Sequence, residues 1–146
     1  MVYVVSGYFA TFHNGHKQYF DSVINMIDKK KDELIVIVAN PLQFSQKYVD
    51  YVPPLHQICE PIFSYLGKIQ GLKYTVMRAI DRDMTVKETL RQIVKQHKDD
   101  LIWFVKDGGE YDKENLPERD VKGITFMFMN NPKITNASEI LNIKKR

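Results

Sequence analysis

The sequence predicts an α/β fold, with one parallel, doubly wound sheet of five strands between two layers of helices. Five short apolar runs alternate with segments that have helical spacing of apolar residues, and this alternation is typical of parallel sheets. The run over 34–39 is apolar throughout, as expected for a strand that is covered on both faces. With 146 residues, the chain has the size of one domain, which we predict to span 1–146.

In the first half of the chain, a strand is predicted over 2–6 because a β-rich apolar run begins there. A helix follows over 15–29, with three lysines placed favourably at its negative end. After the strand over 34–39, we expect a loop from Asn40 to Pro54, since prolines 41, 53 and 54 disfavour a helix. The apolar face of the first helix is predicted to consist of Tyr19, Phe20, Val23, Ile24 and Ile27.

The second half continues the alternation. A helix is predicted from Leu55 to Lys68, where Pro61 implies a kink or a delayed start. Another helix is predicted with Thr85 as its N-cap and Glu88 closing a capping box. The remaining predicted elements are strands over 74–77, 101–105 and 124–129, and a last helix over 136–143.

The segment behind the first strand, Gly-Tyr-Phe-Ala-Thr-Phe-His-Asn-Gly-His over 7–16, has the arrangement of a phosphate site. Gly7 allows a close turn, and Gly15 removes a side chain where a ligand would approach. The following helix directs its unpaired N–H groups and positive dipole end to the same place, where His13 and His16 can donate hydrogen bonds. In a doubly wound sheet, ligands bind where the strand order reverses, and the loop after the first strand is a natural place for that reversal. The alternative is two loop histidines that merely cap the helix.

Composition narrows the classes of partner and compartment. The net charge of +3 is too small to indicate a nucleic-acid partner. A single cysteine excludes an internal disulfide and a cysteine-based zinc site, which suits a reducing compartment. No run approaches the length of a membrane span, and no secretory leader is recognisable. We therefore expect a cytoplasmic protein with small-molecule partners, neither nucleic acid nor membrane; a homodimer is left open.

The motif over 7–16 resembles the signature of the cytidylyltransferase-like nucleotidyltransferases, which have a Rossmann-like three-layer α/β/α fold with a five-stranded parallel sheet. The segments 105–111 and 114–118 are similar to heptose-1-phosphate adenylyltransferases, and glycerol-3-phosphate cytidylyltransferases share the same plan. The resemblance implies transfer of a nucleoside monophosphate from ATP or CTP to a phosphorylated small molecule, such as a sugar phosphate or a polyol phosphate, with release of pyrophosphate. Mg²⁺ is expected to accompany the nucleoside triphosphate.

The resemblance also implies roles for individual residues. His13 and His16 would contact the triphosphate and stabilise charge at the α-phosphorus, while Lys47 would neutralise charge on the acceptor or on that phosphate. Lys47 has the alternative of being a solvated loop lysine, since lysines are mostly exposed. The implied nucleotide-binding residues are Gly7, Tyr8, Phe9, Gly15, Lys106, Gly108, Gly109, Thr135 and Asn136. Lys106 has the same alternative as Lys47, an exposed lysine. For the last four, a simple turn or helix capping explains the residue types as well.

Three departures from the family pattern point to a divergent enzyme or to one without turnover. Ala10 stands where many members have an aspartate. The helix after the long loop begins Leu-His-Gln-Ile over 55–58, without the usual arginine, and the turn at 135–137 is Thr-Asn-Ala rather than a run of Ser and Thr. A catalytically impaired nucleotide-binding module is therefore the alternative function, and an adenylate-forming relative that activates a carboxylate is a more remote one.

Overall fold

The computed structural model describes residues 1–107, 115–129 and 143–146. Within these ranges the chain forms five strands, four α-helices and one 3₁₀ turn. The strands are β1 (Val2–Gly7), β2 (Glu33–Val38), β3 (Tyr74–Arg78), β4 (Ile102–Asp107) and β5 (Thr125–Met129). The helices are α1 (Asn14–Ile24), α2 (Pro41–Lys47), α3 (Leu55–Leu66) and α4 (Lys87–Gln96), and the 3₁₀ turn is Pro117–Asp120. The predicted last helix over 136–143 lies almost wholly outside the described residues.

The sheet has the order β3-β2-β1-β4-β5, and all four pairings are parallel. At the centre, Val4 lies opposite Ile35 on one side and Phe104 on the other. The strand order therefore reverses between β1 and β4, beside the loop that follows β1. The predicted fold class and the predicted place of the reversal are both confirmed.

Each face of the sheet has its own apolar core. On one face, Val5 and Val36 pack with Phe20 of α1 and Ile62 of α3. The five predicted apolar residues of the first helix are all buried on this face. The other face, which packs against α4, is formed by Val2, Val4, Ile35, Ile37, Leu90, Ile93 and Phe104. Since neighbouring residues of β1 and β2 face opposite cores, these strands are apolar throughout, as the sequence predicts for buried strands.

The prediction of a loop from Asn40 to Pro54 is wrong for its first half, because α2 occupies Pro41–Lys47. Pro41 is the first residue of this helix, where its missing N–H would have no helical partner and its fixed φ suits the helix. Asn40 and Gln43 form a reciprocal capping box at its start: the Asn40 side chain accepts from the Gln43 N–H at 2.9 Å, and Gln43 Oε1 accepts from the Asn40 N–H at 3.0 Å. The proline therefore starts a helix here instead of preventing one.

The predicted cap of α4 is also wrong. Thr85 lies two residues before the helix and is not its N-cap, although its hydroxyl accepts from the Lys87 N–H at 3.3 Å while donating to Asp83 at 2.6 Å. The cap is supplied by Asp81, whose buried carboxylate accepts from the N–H groups of Glu88 at 2.7 Å and Thr89 at 3.1 Å. A capping residue six positions before the helix is held there by the loop, so local spacing does not reveal it.

Two helix boundaries differ from the prediction. The first helix ends at Ile24, five residues early, so no basic residue lies in its last turn. Helix α3 begins at Leu55 and includes Pro61, so the start is not delayed. In the described ranges, no helix has both the length and the apolar character that a membrane span requires.

Candidate active site

The start of α1 is capped by the two histidines of the motif. His13 is the N-cap residue, and its Nδ1 accepts from the Gly15 N–H at 3.0 Å. In return, Nδ1 of His16 accepts from the His13 N–H at 3.3 Å. The two residues therefore form a reciprocal capping box in which imidazoles replace the usual hydroxyl and carboxamide groups. Capping, the plainer alternative from the sequence, is part of what these side chains do.

Capping uses one nitrogen of each imidazole and fixes the role of the other. A nitrogen that accepts a hydrogen bond has no proton, so a neutral ring has its proton on Nε2. The rings of His13 and His16 stack with centroids 3.7 Å apart and an interplanar angle of 17°. The backbone of α1 thus holds two parallel imidazoles in the tautomer that presents an Nε2–H donor.

Both histidines are held neutral near pH 7. Burial lowers the pKa of His13. The pKa of His16 falls to about 3, mainly through burial and then through the neighbouring His13 and the Lys47 charge, while a hydrogen bond with the Thr11 backbone acts in the opposite direction. Two protonated rings at stacking distance would repel each other. The pair therefore offers uncharged donors, and positive charge must come from another group.

Lys47 supplies that charge. It is the last residue of α2, and its Nζ lies 4.1 Å from the centroid of the Tyr8 ring and 5.4 Å from that of Tyr48. Its charge is close enough to act on the pKa of His16. Lys47 and the histidine pair therefore lie at the same carboxyl edge of the sheet, after β2 and β1 respectively.

The two glycines of the motif make room for protein side chains. A Cβ at Gly15 would lie 2.9 Å from Cε1 of His13, and a Cβ at Gly7 would lie 2.8 Å from Cζ of Phe9. The space that we predicted for an approaching ligand at Gly15 is thus filled by the ring of the N-cap histidine. Phe9 is buried and has a positive φ of 49°, a conformation that is uncommon for residues other than glycine.

Phe9 packs against one member of the histidine pair, His16. Its ring packs edge-on against His16 with centroids 4.9 Å apart and against Phe20 at 5.3 Å. Phe12 approaches the other side of the His16 ring at 5.8 Å. Phe9, predicted from the motif as a nucleotide-binding residue, is 2 % exposed and contacts His16, so its contribution to a ligand is indirect.

The structure does not bring Lys106 to this cluster. Lys106 is the penultimate residue of β4, and its Nζ lies 5.8 Å from the ring centroid of Phe104. Phe104 belongs to the core on the α4 face, whereas α1 covers the opposite face. The alternation of side chains along a strand sends the two neighbours of Val105 to the α4 face. The other predicted residues, Gly108, Gly109, Thr135 and Asn136, lie outside the described residues.

One contact with the site was missed from the sequence. Residues 144–146 pair with the chain at the end of α2, where the Lys144 carbonyl accepts from the Val49 N–H and the Lys47 carbonyl accepts from the Arg146 N–H, both at 2.8 Å. Nε of Arg146 also donates to the Ser45 carbonyl at 2.6 Å. These bonds satisfy carbonyl groups of α2 close to Lys47. They join positions about 100 residues apart, and no local pattern signals them.

A metal ion would need ligands beyond those that the described ranges offer. Across 1–107, 115–129 and 143–146, no three His, Cys, Asp or Glu side chains are grouped so that they could hold one. Asp81, the most buried of the nearby carboxylates, is engaged with the amides of α4. A Mg²⁺ ion that the phosphate oxygens of a nucleotide hold needs few protein ligands, so the expected ion does not require such a group.

Comparison with known proteins supports the fold. The structure is similar to that of a bifunctional NMN adenylyltransferase/ADP ribose pyrophosphatase from Francisella tularensis, with a TM-score of 0.67 and 18% sequence identity. The match covers 94% of this chain but only 40% of that protein. At this identity the likeness establishes a common fold. No protein-family model matches the chain, and neither does any curated protein sequence.

Proposed function

We propose that this protein is a nucleotidyltransferase that transfers a nucleoside monophosphate from ATP or CTP to a phosphorylated small molecule and releases pyrophosphate. The observation that supports this most directly is that His13 and His16 stack at the start of α1, while Lys47, at the end of α2, lies close enough for its charge to act on His16. Two neutral N–H donors, one ammonium group and the positive end of α1 together form a site complementary to a polyphosphate.

The chemistry asks little of the protein beyond position and charge. In the transferring step, an oxygen of the acceptor phosphate attacks the α-phosphorus in line, and the bond to the bridging oxygen of pyrophosphate breaks. Negative charge on the transferring group is stabilised by the Nε2–H groups of His13 and His16, which are already oriented by their caps. The acceptor phosphate is anionic at neutral pH, so no general base is required. Lys47 neutralises charge where donor and acceptor phosphates would otherwise repel each other.

Mg²⁺ would arrive with the triphosphate, whose oxygens hold it and whose β- and γ-phosphate charge it neutralises. This assignment leaves the described carboxylates in structural roles. The residues expected to contact those phosphates from the protein side, Thr135 and Asn136, stay a prediction from the family resemblance.

ATP is the better supported donor. The F. tularensis protein is named as an adenylyltransferase that acts on NMN, itself a phosphorylated small molecule. The similarity of 105–111 and 114–118 to heptose-1-phosphate adenylyltransferases points the same way. We therefore place sugar 1-phosphates, polyol phosphates and NMN in the acceptor panel.

The proposal is tested by pyrophosphate release from ATP or CTP with Mg²⁺ and that panel. We expect release that depends on one acceptor, and a fall of roughly a hundredfold or more in kcat for Lys47→Met, because a misplaced or missing charged group at the reacting phosphates costs about that much. Lys145→Met is the matched control, since this exposed lysine lies in the segment that pairs with Tyr48. Release that is unchanged in Lys47→Met would contradict the role of the lysine.

A nucleotide-binding module without turnover is the second candidate, favoured by Ala10. This residue is 5% exposed and packs in the core beside Phe9, so no carboxylate is present where many family members have one. Calorimetry that detects nucleotide binding, together with the absence of pyrophosphate release for every acceptor, would favour this candidate over the enzyme.

A further inference from the structure

We propose that Tyr8 is a positioning residue for Lys47: its aromatic ring, and not its hydroxyl group, holds the ammonium group in place at the histidine pair. This inference rests on the proposed function and adds a residue to it. Tyr8 follows β1 and precedes His13 in the chain, and its ring contacts Lys47 and Phe44 of α2.

The ring lies where it can fix a cation. Nζ of Lys47 is 4.1 Å from the Tyr8 centroid, well inside the roughly 6 Å over which a cation is attracted to a ring face. Tyr48 contributes a second ring at 5.4 Å. A lysine side chain has four rotatable bonds and many rotamers, so a contact with a ring narrows the range of positions that the ammonium group samples.

The Tyr8 ring is itself attached to the helix that bears Lys47. It packs edge-on against Phe44, with centroids 5.1 Å apart and an angle of 82°, and against Tyr48 at 6.0 Å and 89°. Phe44 and Tyr48 are each 1% exposed. The ring is thus wedged against α2, and a shift of that helix relative to the β1 loop would move both members of the Tyr8–Lys47 pair.

The hydroxyl group of Tyr8 does not explain the choice of residue. Its oxygen is buried and has no hydrogen-bond partner among residues 1–107, 115–129 and 143–146. Burial, together with the neighbouring Tyr48, raises the pKa of Tyr8 to about 12, so the phenol stays neutral. A buried hydroxyl without a partner costs stability and cannot reach a ligand. What the residue supplies to the site is therefore the face of its ring.

A fluorinated series at position 8 tests the ring face without changing its shape. Tyr8→Phe is the reference, and it is compared with Tyr8→3,5-difluorophenylalanine and Tyr8→pentafluorophenylalanine. Fluorine removes negative charge from the ring face and so weakens or reverses its attraction for a cation. We expect kcat to fall by about tenfold across the series, because the lost attraction is comparable to one factor of ten in a rate. KM for the triphosphate is expected to change less.

Two further measurements separate a positioning role from a structural one. The same series in the Lys47→Met background should show no trend, since the cation is gone. Pentafluorophenylalanine at Phe63, an aromatic side chain on α3 that is 47% exposed, should leave kcat unchanged. A flat series in active protein with Lys47 present, or an equal trend with and without Lys47, would overturn the inference. Absence of transfer in Tyr8→Phe and in the unaltered protein alike would instead count against the proposed function.

Discussion

Two helices begin beside each other at the carboxyl edge of the sheet, and both start with a reciprocal capping box. In α1 the pair is His13 and His16; in α2 it is Asn40 and Gln43. Their backbone hydrogen bonds are closely similar, but their remaining polar atoms go to different places. The amides of Asn40 and Gln43 donate to four carbonyl groups of the loop over 79–85. The histidine rings have fewer partners: Nε2 of His13 lies beyond its cap, and the His16 ring bonds the Thr11 backbone.

The comparison shows that the same capping arrangement can stabilise a loop at one helix start and present hydrogen-bond donors at another. The second helix start is saturated by the protein itself, because each carboxamide NH₂ bonds two carbonyls at 2.7–3.0 Å. The first is less fully satisfied: beyond the two cap bonds, the His16 ring has a hydrogen bond with the Thr11 backbone. A capping box built from imidazoles therefore combines a rigid helix start with donors for a ligand, and this is the property that the proposed reaction requires.

The largest expected effect on transfer comes from replacing the histidines that cap α1 by the Asn and Gln residue types that cap α2. In the double variant His13→Asn, His16→Gln, the cap is retained with the residue types that α2 uses, but both Nε2–H donors are lost. We expect transfer to fall by about a thousandfold, since one lost donor to a transition-state oxygen costs roughly a hundredfold to a thousandfold. The thermal midpoint should move by only a few degrees because the helix start stays capped. Normal transfer in this variant would remove the histidines from the mechanism.

Disrupting the Asn40–Gln43 capping box of α2 should lower the free energy of unfolding more than it lowers the rate of transfer. In Gln43→Glu, an oxygen that can accept from Asn40 is kept, while two donors to the carbonyls of Asp83 and Thr85 are lost in a buried position. We expect a loss of about 3 kcal/mol in the free energy of unfolding by urea denaturation, from two unsatisfied carbonyls and a buried charge. Gln46→Glu is the control, because this neighbour donates to Arg82 at the exposed surface. Equal losses of stability in both variants would mean that the buried hydrogen bonds of Gln43 contribute no more than the exposed one of Gln46.

A smaller expected effect is on the pH dependence of stability, because the capping residues of α1 can take up protons and those of α2 cannot. Folded His16 stays neutral down to about pH 3, whereas an unfolded histidine takes up a proton below its ordinary pKa of 6.5. The unfolded state therefore binds more protons below pH 6.5, and stability falls as the pH falls through this window. The slope contributed by one such group approaches about 1.4 kcal/mol per pH unit.

This slope is measured most cleanly by urea unfolding between pH 6.5 and 5, above the range where most carboxylates titrate. In His16→Gln the contribution is absent, so stability should depend less on pH than in the unaltered protein. His56→Gln, exposed on α3, is the matched control for loss of an imidazole. A slope in His16→Gln as steep as in the unaltered protein would mean that folding does not suppress protonation of this ring.

Much of the fold follows from local pattern. The central strands β1 and β2 are almost wholly apolar because both of their faces are covered, and this signal survives in a single sequence. The helix over Pro41–Lys47 escaped prediction because proline disfavours the interior of a helix but suits its first residue, and only the partners of Asn40 and Gln43 distinguish the two cases.

In the site, too, local pattern predicts some features, while others depend on contacts between distant parts of the chain. The spacing of His13, Gly15 and His16 predicts a helix start with imidazoles, but which ring nitrogen caps and which remains a donor depends on three-dimensional geometry. The direction of Lys106 is set by the alternation along β4, whose register depends on pairing with β5. The contact of Lys47 with Tyr8 joins the end of α2 to the loop after β1, nearly 40 residues apart in the chain, so no local pattern contains it.

Asp81 gives the carboxyl edge of the molecule an internal counterion. Its carboxylate already lies over the first amides of α4, while the first turn of α1 contains no acidic residue. Under the proposed function, a polyphosphate would meet negative charge at the start of α4 and none in the first turn of α1. Asp81 would then favour the start of α1 over that of α4 as the phosphate site without contacting the ligand.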